Sequence, residues 1–91
     1  MAKRNIKINV GGKVQGVFYR KSTKDKADKL NIVGSVRNNP DGSVTIIAQG
    51  NIEDINELIN WCKIGPDEAE VTCLTTEELE IVNSSQFTIE N

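Results

Sequence analysis

Two short segments hold the residues best suited to chemistry. The first is Gly12-Lys13-Val14-Gln15-Gly16-Val17-Phe18-Tyr19-Arg20, which joins an alternating stretch to a helical one. A glycine-punctuated strand-to-helix turn can point successive backbone N–H groups inward, and the helix N-terminus adds unpaired donors and partial positive charge. Arg20 stands at the start of that helix, and a guanidinium can hold two oxygens of one tetrahedral anion, which an ammonium cannot. The segment is therefore compatible with an anion site, but an ordinary turn carrying a solvated arginine is the commoner meaning of such spacing. It is not a Walker A loop: Gly11 and Gly16 have the right separation, but Val17 and Phe18 stand where Lys and Ser/Thr are required. The second segment is Asn38-Asn39. A carboxamide can accept a hydrogen bond from water while donating one to a developing oxyanion, but an Asn pair before Pro40-Asp41-Gly42 can also serve the turn alone.

The surrounding periodicities say what must position these groups. Ile6, Ile8 and Val10 alternate with Lys7 and Asn9, which predicts a half-buried strand over 3–10 ended by Gly11-Gly12. Tyr19, Thr23, Ala27 and Leu30 draw one helical stripe, with Lys21, Lys24, Asp25, Asp28 and Lys29 opposite and Asn31 at its end. Strands over 32–38 and 43–49 flank an Asp-Gly hairpin turn. Asn51 is a candidate N-cap for a second helix carrying Ile52, Ile55, Leu58, Ile59 and Cys62, stopped by Gly65-Pro66. Ala69, Val71 and Cys73 alternate in a fourth strand; 79–85 is irregular, and Phe87 and Ile89 mark a short last strand. The order β-α-β-β-α-β predicts an α+β domain over 1–91, two helices on one face of an antiparallel sheet.

Composition narrows the chemistry. The chain of 91 residues has no histidine, which excludes imidazole bases, His-containing zinc sites and phosphohistidine. Two cysteines are too few for a thiolate metal cage or a disulfide framework. No apolar run is long enough to span a bilayer, and Met1–Asn5 has no apolar core of a secretory signal, so a cytoplasmic protein without membrane association is expected. The net charge of -2 hides an asymmetry: residues 1–37 carry ten of the eleven basic residues and sum to +8, while residues 38–91 sum to -10. A basic half suggests an anionic partner. RNA-recognition domains share the element order, but they stack bases on aromatics in the first and third strands, and neither 3–10 nor 43–49 contains one. No nucleic-acid partner is therefore expected.

Gly12-x-Val14-Gln15-Gly16-Val17-x-Tyr19-Arg20 resembles the signature of the acylphosphatases, and so does Gly34-x-Val36-x-Asn38-x-x-Asp41-Gly42-x-Val44 downstream. Gly50, Gly65-Pro66-x-x-Ala69-x-Val71 and Phe87-x-Ile89 extend the likeness over roughly Ile6 to Ile89. The resemblance implies a ferredoxin-like α/β sandwich and hydrolysis of acyl phosphates to a carboxylate and inorganic phosphate. It implies that Arg20 and the backbone N–H groups of Gln15, Gly16, Val17, Phe18, Tyr19 and Arg20 bind the phosphoryl group and that Asn38 positions the attacking water. It further implies no metal, no cofactor and no phosphoenzyme, with a small acyl phosphate as substrate and inorganic phosphate or a similar anion as product or inhibitor. Ser35 stands where the family usually has a large aromatic, and Tyr19 where Phe is commoner.

Other features read as structure or surface. Glu68, Glu70, Glu77, Glu78 and Glu80 match no ligand spacing and are expected to be solvated. Cys62 and Cys73 are expected to be buried and inert, and Trp61 to pack at the edge of the second helix's stripe. Asn83-Ser84-Ser85 fits a glycosylation sequon that a cytoplasmic chain would leave unmodified. A free-standing monomeric enzyme is expected; the competing reading is a domain that keeps the fold and has lost the activity.

Overall fold

Strand β1 (Lys3–Lys13) is the spine, and its alternation decides which way the sheet faces. Ile6, Ile8 and Val10 are fully buried on one face, as the sequence predicts. A computed structural model describes residues 2–90. β1 is followed by α1 (Tyr19–Lys29), β2 (Val33–Asn38), β3 (Val44–Asn51), α2 (Ile52–Cys62), β4 (Glu70–Leu79) and β5 (Phe87–Glu90). The strands form one five-stranded sheet in the order β4-β1-β3-β2-β5, with both helices packed on it. No helix among the described residues is long and apolar enough to cross a membrane.

Four expectations are corrected. The sheet is mixed: β5 runs parallel to β2, because the chain leaves β4 at one edge and crosses to the other before pairing. On that crossing, Asn5 donates to the Glu80 carbonyl at 2.7 Å, and Gln49 exchanges two hydrogen bonds with the Val82 backbone at 2.8 and 2.9 Å. β1 does not stop at Gly11-Gly12 but continues to Lys13. Gly12 makes this possible: at φ 120 it lies so close to β4 that a Cβ would stand 2.2 Å from the Glu70 carbonyl. At this point the register with β4 slips, Gly11 facing Cys73 and Gly12 facing Val71. The extra residue Thr72 inverts the alternation, so Val71 and Leu74 both pack against the core while Cys73 turns out, exposed rather than buried. Finally, Asn51 precedes α2 but makes no side-chain cap hydrogen bond.

The core lies between the sheet and the helices. Val36, Val44, Ile46 and Ala48 join the β1 residues, and Tyr19, Thr23 and Ala27 of α1 and Ile55, Leu58 and Cys62 of α2 meet them. The end of α1 is a Schellman turn: Asn31 has φ 56, its N–H donates to the Asp28 carbonyl at 3.2 Å, and the Ile32 N–H donates to the Ala27 carbonyl at 2.9 Å. Tyr19 ties the helices together. Its ring meets Trp61 at 5.6 Å between centroids, and its hydroxyl donates to the Cys62 carbonyl at 2.7 Å. Ser35 faces Ile47 on the side of the sheet away from the helices, where it is half-buried.

Burial raises the Tyr19 phenol above its ordinary range and pushes the Cys62 thiol up to about 12. Both groups stay neutral in the fold at pH values where an unfolded chain ionises them. Their contribution is complete below the ordinary thiol range near pH ~8.5 and is lost as pH rises toward 12. The urea midpoint should therefore fall with alkalinity above pH ~9, and the Cys62→Ala variant, though less stable overall, should show a shallower fall. Equal slopes would show that the thiol plays no part.

Candidate active site

Residues 14–18 link the end of β1 to α1 by alternating anchors with exposed backbone. Val14 is fully buried, Val17 is buried, and Tyr19 is fixed as described above. Between them Gly16 has φ 74, and Phe18 takes a left-handed conformation (φ 63, ψ 24) with 74% of its surface exposed. A non-glycine residue in that region is uncommon and costs of order 1–3 kcal/mol, strain that clusters at functional sites. The first helical bond runs from the Ser22 N–H to the Phe18 carbonyl at 3.0 Å. Among the described residues, none of the backbone N–H groups of Gln15 to Lys21 finds a protein acceptor outside the helix, and the first turn of α1 contains no acid. These donors are free for an anion.

Each side chain is set by a different element. Arg20, on the first turn of α1, donates from Nη1 to the Glu90 carbonyl of β5 at 2.8 Å. No carboxylate among the described residues pairs with it. Asn38 is the last residue of β2, and its Oδ1 is buried with no hydrogen-bond partner. A buried amide oxygen left unpaired costs about 1–3 kcal/mol, so it calls for a donor from outside the protein.

The two Asn residues divide the roles the sequence left open. Asn39 serves the turn: its Nδ2 donates to Ser43 Oγ at 3.0 Å and to Thr45 Oγ1 at 2.7 Å, and Thr45 Oγ1 donates to Asn9 Oδ1 at 2.8 Å. Ser43 donates from N and Oγ to Asp41, which holds that carboxyl below its usual range. Gln15 then joins the loop to the hairpin, its Nε2 donating to the Asn39 and Ser43 carbonyls at 2.8 and 2.9 Å.

A cavity of about 300 Å³ opens where these parts meet, lined by Val14, Gly16, Phe18, Tyr19, Arg20, Lys21, Asn38 and Ile89. Of the residues the sequence singled out, Gly16, Phe18, Tyr19, Arg20 and Asn38 meet there. Gln15 and Val17 do not line it; their side chains anchor the loop from behind. Sequence reasoning missed Lys21 and Ile89. Lys21 reads as one more charge on a helix face, and only the pairing of β5 beside β2 brings Ile89 to the site. Lys13 and Arg37 do not line the cavity, and Arg37 instead donates to Asn39 Oδ1 at 3.3 Å.

This sandwich, with a strand-to-helix loop of unpartnered donors and an arginine at its end, has close counterparts. The acylphosphatase family model matches residues 6–89. The acylphosphatase of Hahella chejuensis is 45% identical over 78 residues, covering 86% of this chain and 83% of that protein. The structure of an acylphosphatase from Coxiella burnetii superposes with a TM-score of 0.93 at 36% identity, covering 97% of this chain and 93% of that one. Full-length HypF, in its phosphate- and nucleotide-bound form, gives a TM-score of 0.92 at 28% identity over 99% of this chain but only 12% of its own. The fold and the relatives define a hydrolase acting on acid anhydrides. The chain belongs to the acylphosphatase family and hydrolyses small acyl phosphates.

The Gln15 side chain should matter to the site without touching substrate. Gln15→Leu removes two part-buried hydrogen bonds to backbone carbonyls and should lower unfolding stability by about 1–2 kcal/mol. It should also lower kcat/KM by roughly tenfold through misplacement of loop against hairpin. Urea titration and steady-state kinetics of the variant measure both effects.

Proposed function

We propose that the free N–H groups of Gln15 to Arg20 and the Arg20 guanidinium hold the phosphoryl group, and that Asn38 Oδ1 accepts a hydrogen bond from the water that attacks it. The observation that carries this reading is the unpartnered, buried Asn38 oxygen on the cavity that Arg20 lines. Water forms the new P–O bond as the bond to the acyl oxygen breaks. Its proton passes to a phosphate oxygen, and the acyl group leaves as a carboxylate. Among the described residues no carboxylic acid, thiol or imidazole lines the cavity, and none is needed in this scheme. Phosphoryl transfer through a loose transition state depends on positioning and charge stabilisation more than on a strong base. The product phosphate occupies the same cradle and competes with substrate. Every group invoked comes from one chain, so the same reading has the enzyme acting as a monomer.

The two side chains should fail differently. Arg20→Ala should lower kcat/KM on benzoyl phosphate by at least roughly 10²–10³ and weaken competitive inhibition by inorganic phosphate. Asn38→Ala should lower kcat comparably while leaving phosphate inhibition nearly unchanged. A stable phosphomonoester should not be turned over by any form. Equal loss of phosphate binding in both variants would overturn this division of roles.

A further inference from the structure

The cavity lining is chemically mixed: Arg20, Asn38 and the loop N–H groups are polar, whereas Phe18 and Ile89 offer exposed apolar surface and Val14 is buried. Phe18 is 74% exposed and Ile89 40% exposed. Ile64 is as exposed as Phe18 but does not line this cavity. Phe18 is the more telling case, because its ring is held toward solvent by a left-handed backbone (φ 63) that glycine or asparagine would adopt at lower cost. A strained aromatic exposed at a polar site needs a reason, and an apolar ligand group supplies one. Space allows it: a cavity of about 300 Å³ is more than a tetrahedral anion fills.

We infer that Phe18 and Ile89 form the wall against which the acyl half of the substrate packs, so that this enzyme favours acyl phosphates with apolar, aromatic or branched acyl groups over acetyl-sized or anionic ones. The inference rests on the proposed seating of the phosphoryl group between Arg20 and the loop. With the phosphorus there, the acyl group must project along the remaining lining. Lys21 also lines the cavity and would instead favour an acyl group bearing a second anion, but its ammonium is 3.9 Å from the Asp25 carboxylate, which offsets part of its charge.

The test is a specificity ratio, kcat/KM on benzoyl phosphate divided by that on acetyl phosphate. Both substrates share the phosphoryl seat, so damage to the cradle divides out. Wild type should favour benzoyl phosphate. Phe18→Asn, which tolerates the left-handed backbone, should lower the ratio roughly 3- to 10-fold, mainly through KM for benzoyl phosphate. Ile89→Ala should lower it in the same direction by less. An unchanged ratio in both variants would overturn the inference while leaving the phosphoryl site standing, as would a wild-type preference for succinyl phosphate over benzoyl phosphate. Hydrolysis of neither substrate by wild type would instead remove the reading on which the inference rests.

Discussion

Backbone N–H groups without acceptors are expensive to hold in one place, and the architecture around the loop answers that constraint. From Gln15 to Lys21 the donors have no protein acceptor among the described residues outside the helix. The loop could satisfy them by collapsing onto itself or onto the sheet. Anchors on both sides prevent this: Val14 and Val17 are buried in the core, and Tyr19 is fixed to α2 through the Cys62 carbonyl. Behind the loop, Gln15 grips two carbonyls of the β2–β3 hairpin. Phe18 is the point where the chain must turn sharply into α1, and it does so in a strained conformation that these anchors sustain.

The same arrangement sorts the positive charge. Arg4 pairs with Glu78, Lys24 with Asp28 and Lys26 with Glu57, while Lys21 lies near Asp25. These pairs engage four of the ten basic residues in 1–37. Arg20 differs because its partner is a neutral carbonyl of β5. A carbonyl orients the guanidinium without cancelling its charge, so the fork keeps both its geometry and its attraction for an anion.

Much of this was legible along the chain. Residues that speak through local periodicity were read correctly: the β1 alternation, the Tyr19–Thr23–Ala27 stripe and the Asp-Gly turn each depend on neighbours a few positions away. What escaped depends on partners distant in sequence. That β5 runs parallel to β2 is decided by where the crossing segment leads, and only this brings Ile89 and the Glu90 carbonyl to the site. Cys73 was misjudged because Thr72 adds a residue to β4 opposite Gly12, and a period of two cannot be carried across such an irregularity. Asn38 and Asn39 are indistinguishable in type. Their separate roles appear only when the hydrogen bonds of Asn39 are seen to be consumed within the hairpin.

A chain without histidine can still run this reaction because of what leaves. In a phosphomonoester the departing alkoxide is strongly basic and needs a proton from the enzyme. In an acyl phosphate the departing group is a carboxylate, stable without a proton at neutral pH. A cavity whose described lining offers backbone donors, a guanidinium and one amide suits the second class, whose carboxylate leaves without a proton from the Lys21 ammonium that also lines it. On the proposed reading, selectivity for the anhydride follows from the chemistry of the leaving group. On the same reading the lining of Phe18 and Ile89 discriminates only among acyl groups.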